Sequence, residues 1–250
     1  MKKMIMAANW KMHLGPAGAR EFLVAFLNGY RSSPDRDVWF FPAGVSLATV
    51  AGITREHAEM RTGAQNVYWE PKGAFTGEMS VSMAREAGAT VALVGHSERR
   101  HVFGETDEET GKKVRALLQG GVTPLLCVGE KIDQREAGRT IEVVEQQLAA
   151  VAGLDRAALE QLVIAYEPVW AIGTGKTATP ADAAEVHGAI RRWFVDRGLD
   201  GRNVSVLYGG SVKPENAGSL ISEPEIDGVL VGGASLDPAA WADIVSAGID

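Results

Sequence analysis

The sequence predicts an α/β protein in which eight parallel strands close into a single (β/α)8 barrel. Short apolar runs rich in Val, Leu and Ile recur along the 250 residues, as they do in buried parallel strands. Segments with helical spacing of apolar residues lie between these runs. Eight strand–helix units in this length give about 31 residues each, close to the roughly 30 of a strand–helix–strand unit. An open, doubly wound sheet would also satisfy the alternation, but eight units favour the closed barrel.

The apolar runs that we interpret as strands are residues 4–8, 38–42, 61–65, 91–95, 122–129, 162–166, 204–208 and 227–232. The third run, RTGAQ, is the least apolar of them. The helix predicted over 16–30 has an expected inner face made of Phe22, Ala25, Phe26 and Gly29. Thr179 and Pro180 are typical of the start of a helix, and Gly198 is typical of its end.

Composition and charge narrow the class of protein. No linker or low-complexity segment divides the chain, so we expect one domain over residues 1–250. The net charge of −7 and the lack of a basic run argue against nucleic-acid binding, which needs a basic footprint. The apolar run 4–8 is too short for a signal peptide, and no stretch approaches the roughly 18 apolar residues of a membrane span. One cysteine, Cys127, suits a reducing compartment. We therefore expect a cytoplasmic protein without nucleic-acid or membrane partners.

Barrels of this kind carry their catalytic residues just beyond the C-terminal ends of the strands. The polar and glycine residues at these places are Asn9, Lys11, His96, Glu167, Gly209, Gly210, Ser211, Gly232 and Gly233. A glutamate at a strand end is usually a solvated charge. Glu167, however, precedes a loop of about a dozen residues where strand–helix connections usually take about 2 to 6. This loop carries Val169, Trp170 and Ile172. A carboxylate beneath such an apolar loop loses water, becomes more basic and can abstract a proton.

His96 and Lys11 would share the mouth of the barrel with Glu167. His96 precedes a short helix, whose positive dipole end opposes protonation and leaves a neutral imidazole that can donate to a carbonyl oxygen. A structural histidine at the rim is the alternative. Lys11 could hold a phosphate, although most lysines are only solvated. The glycine pairs in YGGSV (208–212) and VGGAS (231–235) predict an anion site, because glycine lets backbone N–H groups approach an anion closely.

Two other motifs are chance matches. GTGKT resembles the end of a nucleotide-binding phosphate loop, but Trp170 occupies the position of its first glycine. GTGKTA fits a dinucleotide fingerprint but begins several residues after the strand. The sequence has no paired-cysteine or HExxH motif for a metal.

The motifs together resemble the triosephosphate isomerase family across the whole chain. They are AANWKMH (7–13), GAFTGEMS (73–80), VGHSERR (94–100), AYEPVWAIGTGKTATP (165–180), LYGGSVKPEN (207–216) and VGGASL (231–236). A glutamate base, a neutral histidine and a closing loop are established features of that family. The resemblance implies a TIM barrel that interconverts D-glyceraldehyde 3-phosphate and dihydroxyacetone phosphate through an enediolate, in glycolysis and gluconeogenesis. It implies no cofactor.

The resemblance also implies a role for each site residue. Glu167 would be the base, and His96 the neutral electrophile. Lys11 and Asn9 would stabilise the enediolate. The supporting residues would be Glu98 beside Lys11, Ser97 holding Glu167 when the lid is open, and buried Cys127 near the base. The phosphate would be bound by N–H groups of Gly173, Ser211, Gly232 and Gly233.

A lid and a dimer follow from the same resemblance. The lid residues would be Pro168, Val169, Trp170, Ala171, Ile172, Gly173, Thr174, Gly175 and Lys176. Thr76 would project toward Asn9 and Lys11 of a neighbouring subunit, which implies a homodimer. FFPAGVSL (40–47) and His13 depart from the family pattern, and both lie around the expected dimer pocket.

Two rival functions are weaker. A Schiff-base aldolase would need a buried lysine at the end of a strand, commonly the sixth, where this chain has Glu167. A sugar-phosphate epimerase belongs to the same class of phosphate-binding barrel enzymes. A catalytically dead scaffold barrel is the other rival, and it would be expected to lack Lys11, His96 or Glu167, all of which are present.

Overall fold

Eight parallel strands form a closed barrel in sequential order, β1 to β8. The structure, a computed structural model, describes residues 2–172 and 178–249. β1 pairs with β2 on one side and with β8 on the other, which closes the ring. The predicted (β/α)8 TIM barrel is therefore confirmed, and the open-sheet alternative is wrong.

The elements alternate as predicted. The strands are β1 Met4–Asn9, β2 Arg36–Phe41, β3 Met60–Ala64, β4 Val91–Val94, β5 Thr123–Val128, β6 Val163–Tyr166, β7 Ser205–Tyr208 and β8 Gly228–Val231. The α-helices are α1 Pro16–Gly29, α2 Leu47–Thr54, α3 Val81–Glu86, α4 Ser97–His101, α5 Asp107–Gln119, α6 Ile132–Glu136, α7 Thr140–Leu148, α8 Arg156–Leu159, α9 Pro180–Val195, α10 Pro214–Ile221 and α11 Pro238–Ser246. Short 3-10 turns lie at Gly44–Ser46, Ala149–Val151, Val169–Ala171 and Gly233–Leu236.

Side chains alternate between two cores along each strand, as the period of a strand requires. In β1, Ile5 and Ala7 pack inside the barrel, whereas Met6 and Ala8 pack between the strands and the helices. The barrel interior is filled by Ile5, Ala7, Trp39, Phe41, Val91, Leu93, Leu125, Cys127, Val163, Ala165, Leu207 and Leu230. The barrel is thus a packed core, which leaves its C-terminal rim as the place for a site.

The weak sequence signal of β3 has a steric reason. A Cβ atom on Gly63 would lie 2.3 Å from Cε1 of Phe41 and 2.7 Å from Cγ2 of Val91. Only glycine fits between these two large neighbours, so the strand has less apolar character than its neighbours.

The inner face predicted for the first helix is partly wrong. The buried residues of α1 are Ala19, Phe22, Leu23 and Phe26, and Ala25 and Gly29 are exposed. The helix is rotated so that Leu23 faces the core, because burying the large Leu23 side chain removes more apolar area from water than burying Ala25.

The start predicted for the long helix is confirmed. The hydroxyl of Thr179 accepts from the N–H of Asp182, and the Asp182 carboxylate accepts from the N–H of Thr179, with Pro180 in the first turn. This reciprocal cap fixes the residue at which α9 begins. Among the described residues, no helix has both the length and the apolar character needed to cross a bilayer.

Candidate active site

Glu167 is a buried carboxylate directly after β6. Its side chain is only 3% exposed. The N–H of Ser97 donates to Oε2 at 2.8 Å, and the Ser97 hydroxyl donates to Oε1 at 3.3 Å. These hydrogen bonds hold the carboxylate in one orientation. Ser97 thus contacts both carboxylate oxygens of Glu167.

Two glycines make room for Glu167. A Cβ atom on Gly129 would lie 1.8 Å from the carbonyl oxygen of Glu167, and one on Gly209 would lie 2.9 Å from its Cγ. Real Cβ atoms do not approach other atoms so closely. Gly129 follows β5 and Gly209 follows β7, so each of the two strands beside β6 is followed by a glycine where the Glu167 segment passes.

His96 is the N-cap residue of α4, as the sequence predicts. Its Nδ1 atom accepts from the N–H of Glu98 at 3.3 Å. A neutral ring that accepts at Nδ1 carries its proton on Nε2. Nε2 lies 3.1 Å from Oε1 of Glu167. His96 can therefore donate a hydrogen bond from Nε2 into the same space that the carboxylate faces.

Lys11 reaches the site through an unusual backbone conformation. Its φ of 50° lies in the left-handed region, which few residues other than glycine adopt. The N–H of Lys11 donates to Oδ1 of Asn9 at 3.0 Å, and its carbonyl accepts from Gln65 at 2.8 Å. Its Nζ lies 2.6 Å from Oε1 of Glu98. A Cβ atom on Gly232 would lie 3.1 Å from Lys11 Cε, so this glycine lets the side chain pass.

Cys127 packs below the carboxylate, inside the barrel. It is completely buried and forms no disulfide. Burial raises the pKa of its thiol well above the usual value, and the nearby charge of Glu167 raises it further. The thiol is therefore neutral at physiological pH and contributes packing near Glu167.

The side chains of Asn9, Lys11, His96 and Glu167 open onto one cavity of about 380 Å³ at the C-terminal rim. Its lining includes Asn9, Lys11, His96, Glu167, Ile172, Ser211, Gly232 and Gly233. The 3-10 turn Gly233–Leu236 begins here, directly after β8. Backbone N–H groups at such a place can bind an anion. Of the predicted phosphate-binding residues, Gly173 lies outside the described residues. So do Thr174, Gly175 and Lys176 of the predicted lid.

The described part of the predicted lid begins with a tight turn. The N–H of Ala171 donates to the carbonyl of Pro168 at 2.8 Å, and the N–H of Ile172 donates to Val169 at 3.2 Å. Ala171 is completely buried, and Trp170 is partly buried. The N-terminal end of this segment is therefore anchored against the barrel.

Sequence reasoning missed the anchor itself, Glu130. Its side chain is fully buried, and its carboxylate accepts from Trp170 Nε1 at 2.8 Å and from the Tyr166 hydroxyl at 3.1 Å. Burial raises the pKa of Glu130, although these hydrogen bonds act in the opposite direction. Gly129-Glu130 follows β5 just as Glu167 follows β6. The rule that singles out residues beyond strand ends would have found Glu130 had it been applied to the fifth strand.

Other features of the rim complete the description. Thr76 lies exposed in the loop between β3 and α3. Across residues 2–172 and 178–249, no group of three or more His, Cys, Asp and Glu side chains could hold a metal ion.

Comparisons with known proteins agree with this geometry. A family model described as triosephosphate isomerase matches residues 4–248. A triosephosphate isomerase of Roseiflexus castenholzii is 48% identical over 248 residues, covering 98% of this chain and 97% of the relative. One from Solibacter usitatus is 47% identical over 251 residues, covering 98% and 100%. One from Aquifex aeolicus is 46% identical over 245 residues, covering 96% and 98%. Because both the family model and these relatives span nearly the whole chain, the protein belongs to the triosephosphate isomerase family.

Proposed function

We propose that this protein interconverts D-glyceraldehyde 3-phosphate and dihydroxyacetone phosphate through an enediolate, without a cofactor. The observation that carries the proposal is the meeting of Glu167, His96, Lys11 and Asn9 at one cavity on the barrel rim. A carboxylate, a hydrogen-bond donor and a cation are what proton transfer next to a carbonyl requires.

Glu167 is the base in this proposal. It removes a proton from C1 or C2 of the triose phosphate and returns it to the other carbon. The Ser97 hydrogen bonds hold the carboxylate before the substrate binds, and Glu167 exchanges them for the substrate. The proton that leaves carbon stays on Glu167 until it is returned, so the reaction needs no external acid or oxidant.

His96 donates its Nε2 proton to the carbonyl oxygen as negative charge develops there, and it recovers a proton from the neighbouring hydroxyl oxygen, which becomes the carbonyl oxygen of the product. Lys11 and Asn9 stabilise the same enediolate, and Glu98 keeps Lys11 directed into the cavity. Ser211, Gly232 and Gly233 bind the phosphate, together with Gly173. This assignment is supported by the common cavity, by the glycine pairs after β7 and β8, and by the family resemblance.

We further propose that residues 168–176 form a lid over Glu167. Ile172 belongs to this proposed lid and lines the cavity. This position supports a role for the lid in excluding water from Glu167. Exclusion of water also protects the enediolate, which would otherwise expel phosphate as a side reaction.

We also propose that the protein is cytoplasmic and forms a homodimer. Apolar side chains are exposed in the segments that follow the first four strands: Met12, Val45, Phe75, Met83, Val102 and Phe103. Exposed apolar patches are typical of protein–protein contacts, and we assign these six side chains to the dimer contact. In this dimer, Thr76 lies near Asn9 and Lys11 of the partner subunit.

The test is conversion of D-glyceraldehyde 3-phosphate to dihydroxyacetone phosphate by the purified protein and by Glu167→Gln. We expect rapid conversion by the wild type and a loss of kcat of about three orders of magnitude in the variant, because no other base is in reach. The thermal midpoint of the variant, measured alongside, separates lost chemistry from lost folding. A folded wild type without activity would exclude the proposed reaction, and a fully active variant would exclude Glu167 as the base.

A further inference from the structure

The side-chain amide of Gln147 makes two hydrogen bonds to one residue, Gly129. The N–H of Gly129 donates to Oε1 of Gln147 at 2.7 Å, and Nε2 of Gln147 donates to the Gly129 carbonyl at 3.1 Å. Gln147 is only 8% exposed and shares the buried face of α7 with Val143, Val144 and Leu148. Burial of a polar side chain is unfavourable unless it is hydrogen-bonded, so the two bonds to Gly129 explain why a glutamine is stable on this apolar face.

Gly129 takes its partner from a helix because β4 ends before β5 at this rim. The pairing of the two strands ends with Val94 opposite Leu126, whereas β5 continues to Val128. After Val94, Gly95 adopts a left-handed φ of 68°, and the chain turns into α4. The side of β5 that faced β4 therefore continues beyond the end of its neighbour.

Gln147 replaces the hydrogen bonds of a neighbouring strand on this side of β5. The polar groups of successive residues in a strand point to opposite sides. Those of Gly129 point to Gln147, whereas the carbonyl of Val128 points to the other side and accepts from the N–H of Glu167 at 2.8 Å. Gln147 thus completes the hydrogen bonding of this segment at the place where the segment meets Glu167.

The backbone of Glu167 packs directly against Gly129. A Cβ atom on Gly129 would overlap the carbonyl oxygen of Glu167 and would lie 3.2 Å from its Cα. Both residues are buried, so neither can shift without moving the other. A displacement of Gly129 would therefore move the Glu167 carboxylate relative to His96, which follows a different strand.

We propose that Gln147 is a positioning residue for the base: it fixes Gly129, and Gly129 fixes the backbone of Glu167. This inference rests on the proposed isomerase function. Gln147 is not one of the described residues that line the cavity, so it acts on turnover without touching the substrate. Loss of its amide leaves two buried polar groups of Gly129 without their partner, and the segment must shift to satisfy them.

The experiment compares Gln147→Met with the wild type in the full chain. Methionine is similar in size to glutamine but can form neither of the two hydrogen bonds to the Gly129 backbone at comparable strength. We expect kcat to fall about tenfold, less than the roughly hundredfold that a displacement of 1 Å can cause. KM and the inhibition constant of inorganic phosphate should stay near the wild-type values, because the proposed phosphate site at Ser211, Gly232 and Gly233 is left intact.

Two further variants control for the effect of the substitution itself. Gln146→Met makes the same change at the neighbouring, exposed position of α7 and should keep wild-type kinetics. Gln147→Asn keeps the amide on a shorter stem, so it should lower kcat less than Gln147→Met does. The asparagine variant also carries the test if methionine prevents folding.

A double variant tests whether Gln147 acts through the base. Added to Glu167→Gln, the substitution Gln147→Met should not lower kcat further, because the carboxylate whose position matters is already absent. Hydrogen exchange supplies a readout that does not depend on activity. In Gln147→Met, the amides of Gly129 and Glu167 should both exchange about fivefold faster than in the wild type, the factor that corresponds to one typical hydrogen bond.

A lower thermal midpoint with unchanged kcat and unchanged exchange at Glu167 would reduce Gln147 to a structural residue and overturn the proposal. An equal loss of kcat with and without Glu167→Gln would overturn it as well, because Gln147 would then act by another route. An inactive wild type would instead refute the isomerase function, and the exchange of the Glu167 amide would still decide whether Gln147 fixes this backbone.

Discussion

The Nε2 atom of His96 lies 3.1 Å from Oε1 of Glu167, although the two residues follow different strands of the barrel. The other ring nitrogen accepts from the N–H of Glu98. If the ring is neutral, its proton lies on Nε2, between the imidazole and the carboxylate. In the proposed reaction, a substrate carbonyl in this space meets His96 as donor and Glu167 as base, which the N–H groups of Glu98 and Ser97 hold in place.

His96→Gln tests this arrangement. The amide can still donate a hydrogen bond, but it cannot exchange a proton as an imidazole does. We expect kcat to fall by about a hundredfold with a smaller change in KM, because general acid–base assistance acts in the transition state. Steady-state kinetics in both directions measure the effect.

His101→Gln is the matched control, since His101 lies in the same helix but outside the cavity lining. It should retain wild-type kinetics. Equal losses in the two variants would indicate damage to α4 rather than the loss of a proton donor.

Gly209→Ala tests the space around the base. The added methyl group would lie 2.9 Å from Cγ of Glu167 and 3.1 Å from the Tyr166 carbonyl oxygen. The Glu167 side chain must then move, and a displacement of about 1 Å at a reacting group can lower the rate about a hundredfold. We expect kcat to fall while the protein remains folded.

The control for this prediction is Gly153→Ala. Its added methyl group meets no atom within 4 Å, so kinetics should not change. Wild-type activity in Gly209→Ala would mean that Glu167 does not act from the position described here.

The barrel could be predicted from the sequence because each strand is a short apolar run and a segment with helical spacing follows each strand. Local periodicity carries that information even where a strand such as β3 is weak. The placement of Glu167 and His96 at one rim also followed from topology, since parallel strands bring all their C-terminal ends together.

The contacts that finish the site could not be predicted from local patterns. The ion pair of Lys11 with Glu98 and the stacking of Arg135 on Trp170 join residues far apart in sequence. The family resemblance implies the contact of Lys11 with Glu98. The sequence gives no signal for the stacking of Arg135 on Trp170. The position of Glu130 beyond β5 is visible in the sequence, but its enclosure by Tyr166 and Trp170 is not, because these partners lie about 40 residues away in the chain.

His187 predicts how the stability of the protein depends on pH. It is fully buried in α9, and its Nδ1 lies 3.0 Å from the carbonyl oxygen of Glu225. Its Nε2 has no partner among the described residues. Burial lowers the pKa of His187 from 6.5 to about 4. Between these values the unfolded chain binds the proton and the folded one does not, so stability present above pH 6.5 is lost as the pH falls towards 4.

The full loss attributable to this side chain is about 3 kcal/mol, from roughly 2.5 pH units at 1.36 kcal/mol each. Urea unfolding of the wild type and of His187→Asn at pH 7 and pH 4.5 measures it. Asparagine can still donate to the Glu225 carbonyl but does not titrate. The variant should therefore lose less stability on acidification than the wild type. Equal losses in the two proteins would show that His187 is not the titrating group.

Val45→Asp tests the proposed dimer. Val45 is 77% exposed in the 3-10 turn after β2, within the proposed contact surface. A carboxylate there would be desolvated without a partner, so we expect the variant to sediment as a monomer at micromolar concentration. Activity should fall with it, because Thr76 would no longer support Asn9 and Lys11 of the partner subunit.

Val24→Asp provides the comparison for this last prediction. Val24 is 56% exposed on α1 and is not one of the six apolar residues assigned to the proposed contact. The same charge placed there should leave both the sedimentation coefficient and the turnover unchanged. A wild type that sediments as a monomer would refute the dimer outright. A monomeric but fully active Val45→Asp would keep the dimer and remove the partner from the chemistry, because each barrel would then be complete with its own Asn9, Lys11, His96 and Glu167.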